Sequence, residues 1–296
     1  MSKKRVFLGV ATALITPMDA DGVNYDQFGR LIDWQIEEGI NALVVCGTTG
    51  EASTLSDAEH RQVIAYAADR VQGRVPLIAG TGSNDTAYAI DMTREACRCG
   101  VDAVLVATPY YNKATQGGLR RMFEAIADVS EKPVILYNIP SRTGVNIEPA
   151  TYEALAKHEN IVATKEACGD ISKIVETVAR VGDGLDLYSG NDDQIVPIMS
   201  MGGLGCISVL SNLMPAQAAE ICSRFFAGDI SGAASLQCRL HALISALFCE
   251  VNPIPVKAAM TAMGFCDNYL RLPLTPMEEE NRQRLLEAMR RQGLEV

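Results

Sequence analysis

Eight short apolar runs, each followed by a helix-patterned stretch, predict an α/β fold: a (β/α)8 barrel (TIM barrel) with a C-terminal helical extension. Three observations support this reading. The runs are continuously apolar rather than alternating, as strands covered on both faces are. They are rich in β-branched residues and only about 4–8 residues long, the length of a buried strand. The eightfold strand–helix alternation is the count of a closed parallel barrel, and such barrels use the length of this 296-residue chain as a single domain.

The first run, FLGVATAL (7–14), follows a basic start and could imitate a signal peptide. Thr16-Pro17 and the acidic turn Asp19-Ala20-Asp21-Gly22 come next without a small-residue cleavage site, so the run is read as a strand. No apolar run approaches the ~20 residues needed to cross a membrane, and a cytoplasmic protein without membrane contact is expected. Asn24 is placed to cap the helix that follows. ALVVC (42–46) is the second strand, and Ser56 with Glu59 three residues later forms a capping-box signature for the next helix. PLIAG (76–80), AVLVATP (103–109), PVILYN (133–138), NIVATKE (160–166), DLYSG (186–190) and GCISVL (205–210) complete the eight. A doubly wound sheet is the alternative fold. Its dinucleotide turn is not met, because Gly80-Thr81-Gly82-Ser83-Asn84-Asp85 lacks the third glycine. The barrel is assigned to residues 1–226. Residues 227–296, helical and punctuated by Pro253, Pro255, Pro273 and Pro276, are read as an extension packed on it.

A net charge of −10 disfavours attraction to nucleic-acid phosphate. Nine cysteines, an odd number in apolar contexts without paired CxxC spacing, read as free thiols. His60, His158 and His241 lie too far apart in sequence to suggest a ligand set, so neither metal nor cofactor is called for.

Chemistry in such barrels gathers at the carboxyl ends of the strands. There the sequence puts Gly47-Thr48-Thr49-Gly50-Glu51, Tyr110-Tyr111-Asn112, Tyr137-Asn138 with Ser141-Arg142-Thr143-Gly144, Lys165-Glu166, and Ser189-Gly190-Asn191-Asp192. A lysine that continues a buried strand into a barrel mouth is costly as an unpaired ammonium. The same desolvation favours the free amine that attacks carbonyl carbon. The other reading of Lys165 is a structural lysine paired with Glu166 or Asp170, and the residues alone leave both open. The GTTG turn can offer N–H groups and hydroxyls to a small carboxylate, or be a capped strand-to-helix turn. Tyr137 and Tyr111 can move protons or simply pack, and Arg142 can clamp a carboxylate through its planar fork or be solvated.

GTTGE (47–51), PYYNKATQ (109–116), LYNIPSRTG (136–144), the lysine of NIVATKEA (160–167), YSGND (188–192) and NPIPVK (252–257) resemble, in order, the dihydrodipicolinate synthase / N-acetylneuraminate lyase family. The paired threonines and Arg142 are similar to its synthase branch, since sialic acid lyases usually carry serine at position 48 and lack the arginine. The resemblance implies that Lys165 forms a Schiff base with pyruvate, whose enamine attacks L-aspartate 4-semialdehyde. It implies that Thr48 and Thr49 hold the pyruvate carboxylate, that the backbone near Gly190 and Ile207 lines that pocket, and that Arg142 receives the second substrate. Tyr137, Thr49 and Tyr111 would relay protons, Tyr111 from a neighbouring subunit of a homotetramer built from dimers. A cleft that binds lysine in sensitive relatives corresponds to Ala52, Ser53, Asp57, His60, Asn84, Tyr88 and Tyr110. Aspartate at 57 and tyrosine at 88 depart from the sensitive pattern. Two alternatives stand beside this reading: a pyruvate-dependent aldolase acting on a 2-keto-3-deoxy acid or sialic acid, and a non-catalytic metabolite-sensing barrel.

Overall fold

In the computed structural model, which describes residues 3–296, all eight runs are strands: β1 (Gly9–Ala13), β2 (Ala42–Val45), β3 (Leu77–Gly80), β4 (Ala103–Ala107), β5 (Val134–Asn138), β6 (Ile161–Glu166), β7 (Asp186–Ser189) and β8 (Gly205–Ser208). Each pairs in parallel with its sequence neighbour, and β1 pairs with β8 to close the barrel. The closure needs glycine. A Cβ on Gly205 would stand 1.7 Å from the carbonyl oxygen of Gly9, and both glycines have positive φ, at +140° and +104°. A buried polar seam secures the same edge: Thr12 Oγ1 donates to Gln35, whose amide donates to the carbonyls of Ser211 and Asn212.

Two apolar layers explain the continuous runs. Ala11, Val44, Ile78, Leu105, Ile135, Ala163 and Ile207 fill the barrel interior, while the intervening strand residues join the helices in the larger outer core. The helix starts follow the sequence. Asn24 caps Tyr25–Glu37 by accepting from Gln27 N, and Ser56 with Glu59 closes the expected capping box of Asp57–Val71. The structure adds small elements that the apolar pattern does not mark: a hairpin of Met18–Asp19 with Gly22–Val23, a single turn at Pro140–Thr143, and the six-residue helix Ile195–Ser200.

The C-terminal segment does more than cover the barrel, for it grips the loop after β2 at three points. Asn252 Nδ2 donates to Thr49 Oγ1 at 3.0 Å, Lys257 Nζ reaches Glu51 at 2.5 Å, and Arg271 forks onto Glu59 while bonding the carbonyl of Thr54. Lys257 and Glu51 have side chains only 0% and 1% exposed, so removing one partner strands a charge in the core. Lys257→Met is therefore expected to cost about 3–5 kcal/mol of stability in denaturant unfolding. Adding Glu51→Gln should recover part of that loss, and a Lys257→Met loss below about 1 kcal/mol would contradict the pairing.

Candidate active site

Parallel register brings the reactive candidates side by side. Tyr137 on β5 is the Cα partner of Lys165 on β6, and Lys165 is in turn the partner of Tyr188 on β7. Lys165 lies two residues beyond the inward-facing Ala163, so strand alternation turns it into the barrel and turns Glu166 outward. The Lys165 Nζ stands over the Tyr137 ring, 4.3 Å from its centroid, and the residue is 5% exposed.

The structural-lysine reading does not hold. Glu166 is occupied on the outer face, accepting from Tyr152 Oη at 2.8 Å, Asn138 Nδ2 at 2.9 Å and the Cys168 N–H at 2.8 Å, and burial raises its carboxyl above the ordinary range. Asp170 caps the helix Ile171–Val181 by accepting from Lys173 N. Neither carboxylate pairs with Lys165. Gly190 makes room for the lysine: a Cβ there would lie 3.1 Å from Lys165 Cε and 2.8 Å from Ala167 Cβ. Ile207, fully buried on β8, closes the interior beneath.

Thr48 and Thr49 occupy a tight turn in which the Gly50 N–H bonds the Gly47 carbonyl. Thr49 is 3% exposed and held by Asn252, while Thr48 is half-buried. Arg142 sits exposed on the rim in the Pro140–Thr143 turn and donates to the main-chain oxygen of Asn252 at 2.8 Å. A cavity of about 490 Å3 opens here, with Thr48, Tyr137 and Arg142 on its wall. Lys165 is not on that wall; the cavity borders it by way of Tyr137.

Tyr111 stands apart. It is 92% exposed, with φ at +69°, so it takes no part in a buried relay of its own chain. Of the seven residues of the second cleft, Ala52, Ser53, His60, Tyr88 and Tyr110 line the same cavity as Thr48, whereas Asp57 and Asn84 do not. Burial lowers the His60 imidazole below its ordinary range, and its Nε2 meets the Gly80 carbonyl at 2.8 Å.

Three buried residues near the site received no role from sequence: Glu51 and Asp192, named there only as strand-end residues, and Asn252. Asp192 accepts from the N–H groups of Val209 and Leu210 at 3.0 and 2.9 Å, tying the end of β7 to the end of β8. Burial raises its carboxyl, and the nearby Lys165 charge partly opposes that rise. The motifs GTTGE, YSGND and NPIPVK contain all three residues, but only the fold shows what they touch.

Fold and site define a class: a (β/α)8 barrel with a primary amine, in no ion pair with a carboxylate among the described residues, beside a tyrosine at the carboxyl ends of its strands. The family model of the dihydrodipicolinate synthetase family matches residues 6–292, and the chain belongs to that family. A 4-hydroxy-tetrahydrodipicolinate synthase of Thermoanaerobacter sp. strain X514 is 49% identical over 290 residues, 98% of each chain. The dihydrodipicolinate synthase structure from Aquifex aeolicus superposes with a TM-score of 0.96 at 43% identity, covering 97% of this chain and 99% of that one. A structure described as the first monomeric dihydrodipicolinate synthase variant has a TM-score of 0.95 at 40% identity and covers 98% of both chains.

Proposed function

We propose that the chain is a class I lyase that condenses pyruvate with L-aspartate 4-semialdehyde to give 4-hydroxy-tetrahydrodipicolinate, a step toward diaminopimelate and lysine. One observation carries the reading: Lys165 is buried, in no ion pair with a carboxylate among the described residues, and lies against Tyr137. Its amine adds to the pyruvate ketone carbon, and loss of water leaves an imine in which that carbon is doubly bonded to the lysine nitrogen. Thr48 and Thr49 receive the pyruvate carboxylate. Loss of a methyl proton turns the imine into an enamine, whose carbon attacks the aldehyde of the second substrate as that oxygen gains a proton. The amino group of the bound product then adds to the imine carbon, expels the Lys165 amine and closes the ring. Tyr137 and Thr49 move the protons, and the Arg142 fork receives the carboxylate of the semialdehyde. No step calls for a metal or a cofactor. Arg142 on the rim favours this acceptor over a sugar-acid aldol. Initial rates of pyruvate consumption with aspartate semialdehyde, against pyruvate release from 2-keto-3-deoxy acids or sialic acid, test the choice, and preference for the aldol substrates would reject it.

The assembly we infer is a homotetramer of paired dimers acting in the cytoplasm. Two separate exposed apolar sets fit two kinds of subunit contact: Tyr110 (39% exposed) with Tyr111, and Ile171 (38%) with Val175 (50%). No helix among the described residues is long and apolar enough to cross a membrane.

Feedback by lysine is expected to be weak or absent. Asp57, the one carboxylate in the cleft set, is held by Arg61 at 3.0 Å, and Arg61 also bridges Asp91 at 2.5 Å. Burial, with the neighbouring Asp57 charge, pushes the Tyr88 phenol up to about 12, so Tyr88 stays neutral and offers no anion to a ligand ammonium. A missing charge-assisted hydrogen bond costs about 1.5–3 kcal/mol, roughly ten- to a hundredfold in affinity. An inhibition constant in the sub-millimolar range, from initial rates against both substrates, would refute this. Tyr88→Glu is expected to strengthen inhibition.

A further inference from the structure

We propose that Asn252 is a positioning residue that fixes the direction in which the Thr49 hydroxyl gives its proton. The inference rests on the Schiff-base reading above and deepens it. A threonine hydroxyl has one proton and two acceptor lone pairs. Asn252 Nδ2 can only donate, and at 3.0 Å it occupies one lone pair of Thr49 Oγ1. The Thr49 proton must then point away from Asn252, and the proposed relay takes it toward Tyr137, which lines the cavity.

The amide is built to stay in this orientation. Asn252 is 5% exposed, and its main-chain oxygen accepts from Arg142. Five residues on, in the helix Ile254–Ala262, Lys257 holds Glu51, so one short segment grips Thr49 and Glu51 on either side of Gly50. The Asn252 Oδ1 is buried with no partner. Turning the amide over would set that oxygen against Thr49 Oγ1, where it would accept the hydroxyl proton. The apolar pattern of NPIPVK gives no hint of this role, since Thr49 and Asn252 are separated by 203 positions.

The test compares Asn252→Asp with Asn252→Leu. Aspartate places an acceptor against Thr49, which draws the hydroxyl proton into a charge-assisted bond and away from the relay. Leucine removes the donor and leaves the hydroxyl free to rotate. The readout is deuterium uptake into the pyruvate methyl group in heavy water, which follows imine-to-enamine proton transfer without the second substrate. Exchange is expected to slow about tenfold in Asn252→Leu and about a hundredfold in Asn252→Asp, while borohydride with pyruvate still labels Lys165 in both. In a Thr49→Val background, where no hydroxyl remains to be directed, either substitution should change the residual rate less than about threefold. Equal losses for Asp and Leu, or losses that multiply in the Thr49→Val background, would overturn the proposal. Should Asn252→Asp fail to fold, Asn252→Leu with and without Thr49→Val decides alone. Absence of the Lys165 label in the unsubstituted protein overturns the Schiff-base reading and this inference together, which distinguishes the two failures.

Discussion

Lys165→Ala is expected to lower turnover by about 10^4-fold or more and to abolish the pyruvate adduct that borohydride traps on the unsubstituted protein. The size follows from the reaction path, since no covalent intermediate forms without the amine and the pocket alone retains only binding. The fold should survive. Lys165 makes no ion pair with Glu166 or Asp170, whose partners are Tyr152, Asn138 and the Lys173 N–H, and the buried Asp192 that feels its charge keeps the N–H groups of Val209 and Leu210. Intact-mass spectrometry and the unfolding midpoint check both halves: an adduct on another lysine would move the chemistry, and a collapsed midpoint would make Lys165 structural. Gly190→Ala offers a graded version, because its Cβ would stand 3.1 Å from Lys165 Cε and displace the amine without removing it. A displacement of this order in a reacting group costs up to about a hundredfold in rate.

The eight strands were legible because each is covered on both faces, which writes continuous apolar runs into the sequence. That same burial hid the orientation of the site. In IVATKE both faces are apolar, so nothing in the run says whether Lys165 or Glu166 looks inward; register against Tyr137 and Tyr188 decides it. The helix starts at Asn24 and Ser56 were readable because their caps are local. The partners Thr49–Asn252 and Glu51–Lys257 lie 203 and 206 positions apart, beyond any local pattern. Sequence therefore suggested an extension packed on a barrel, whereas the fold makes residues 252–257 the clamp on the Gly47–Glu51 turn.

Within its own chain Tyr111 is 92% exposed, its backbone in the left-handed region, while Tyr137 and Lys165 are about 5% exposed. Holding a tyrosine outward in that conformation costs of order 1–3 kcal/mol, which a subunit contact would offset. If Tyr111 completes the relay of a neighbouring subunit, Tyr111→Phe should slow turnover by about 10^2-fold or more. Mixing then separates the two geometries. Consider Tyr111→Phe chains refolded with an equal amount of Lys165→Ala chains. Roughly half of the dimers are mixed, and each mixed dimer has one site that pairs an intact Lys165 with an intact Tyr111 from the other chain. Activity should therefore return to roughly a quarter of that of the unsubstituted protein, although either parent alone is nearly inactive. A relay within one chain predicts no recovery, because every site with a lysine then keeps its own phenylalanine. Native mass spectrometry of the mixture verifies exchange. Mixed dimers without recovered turnover would place Tyr111 outside the partner's site, and with it would fall the dimer as the catalytic unit.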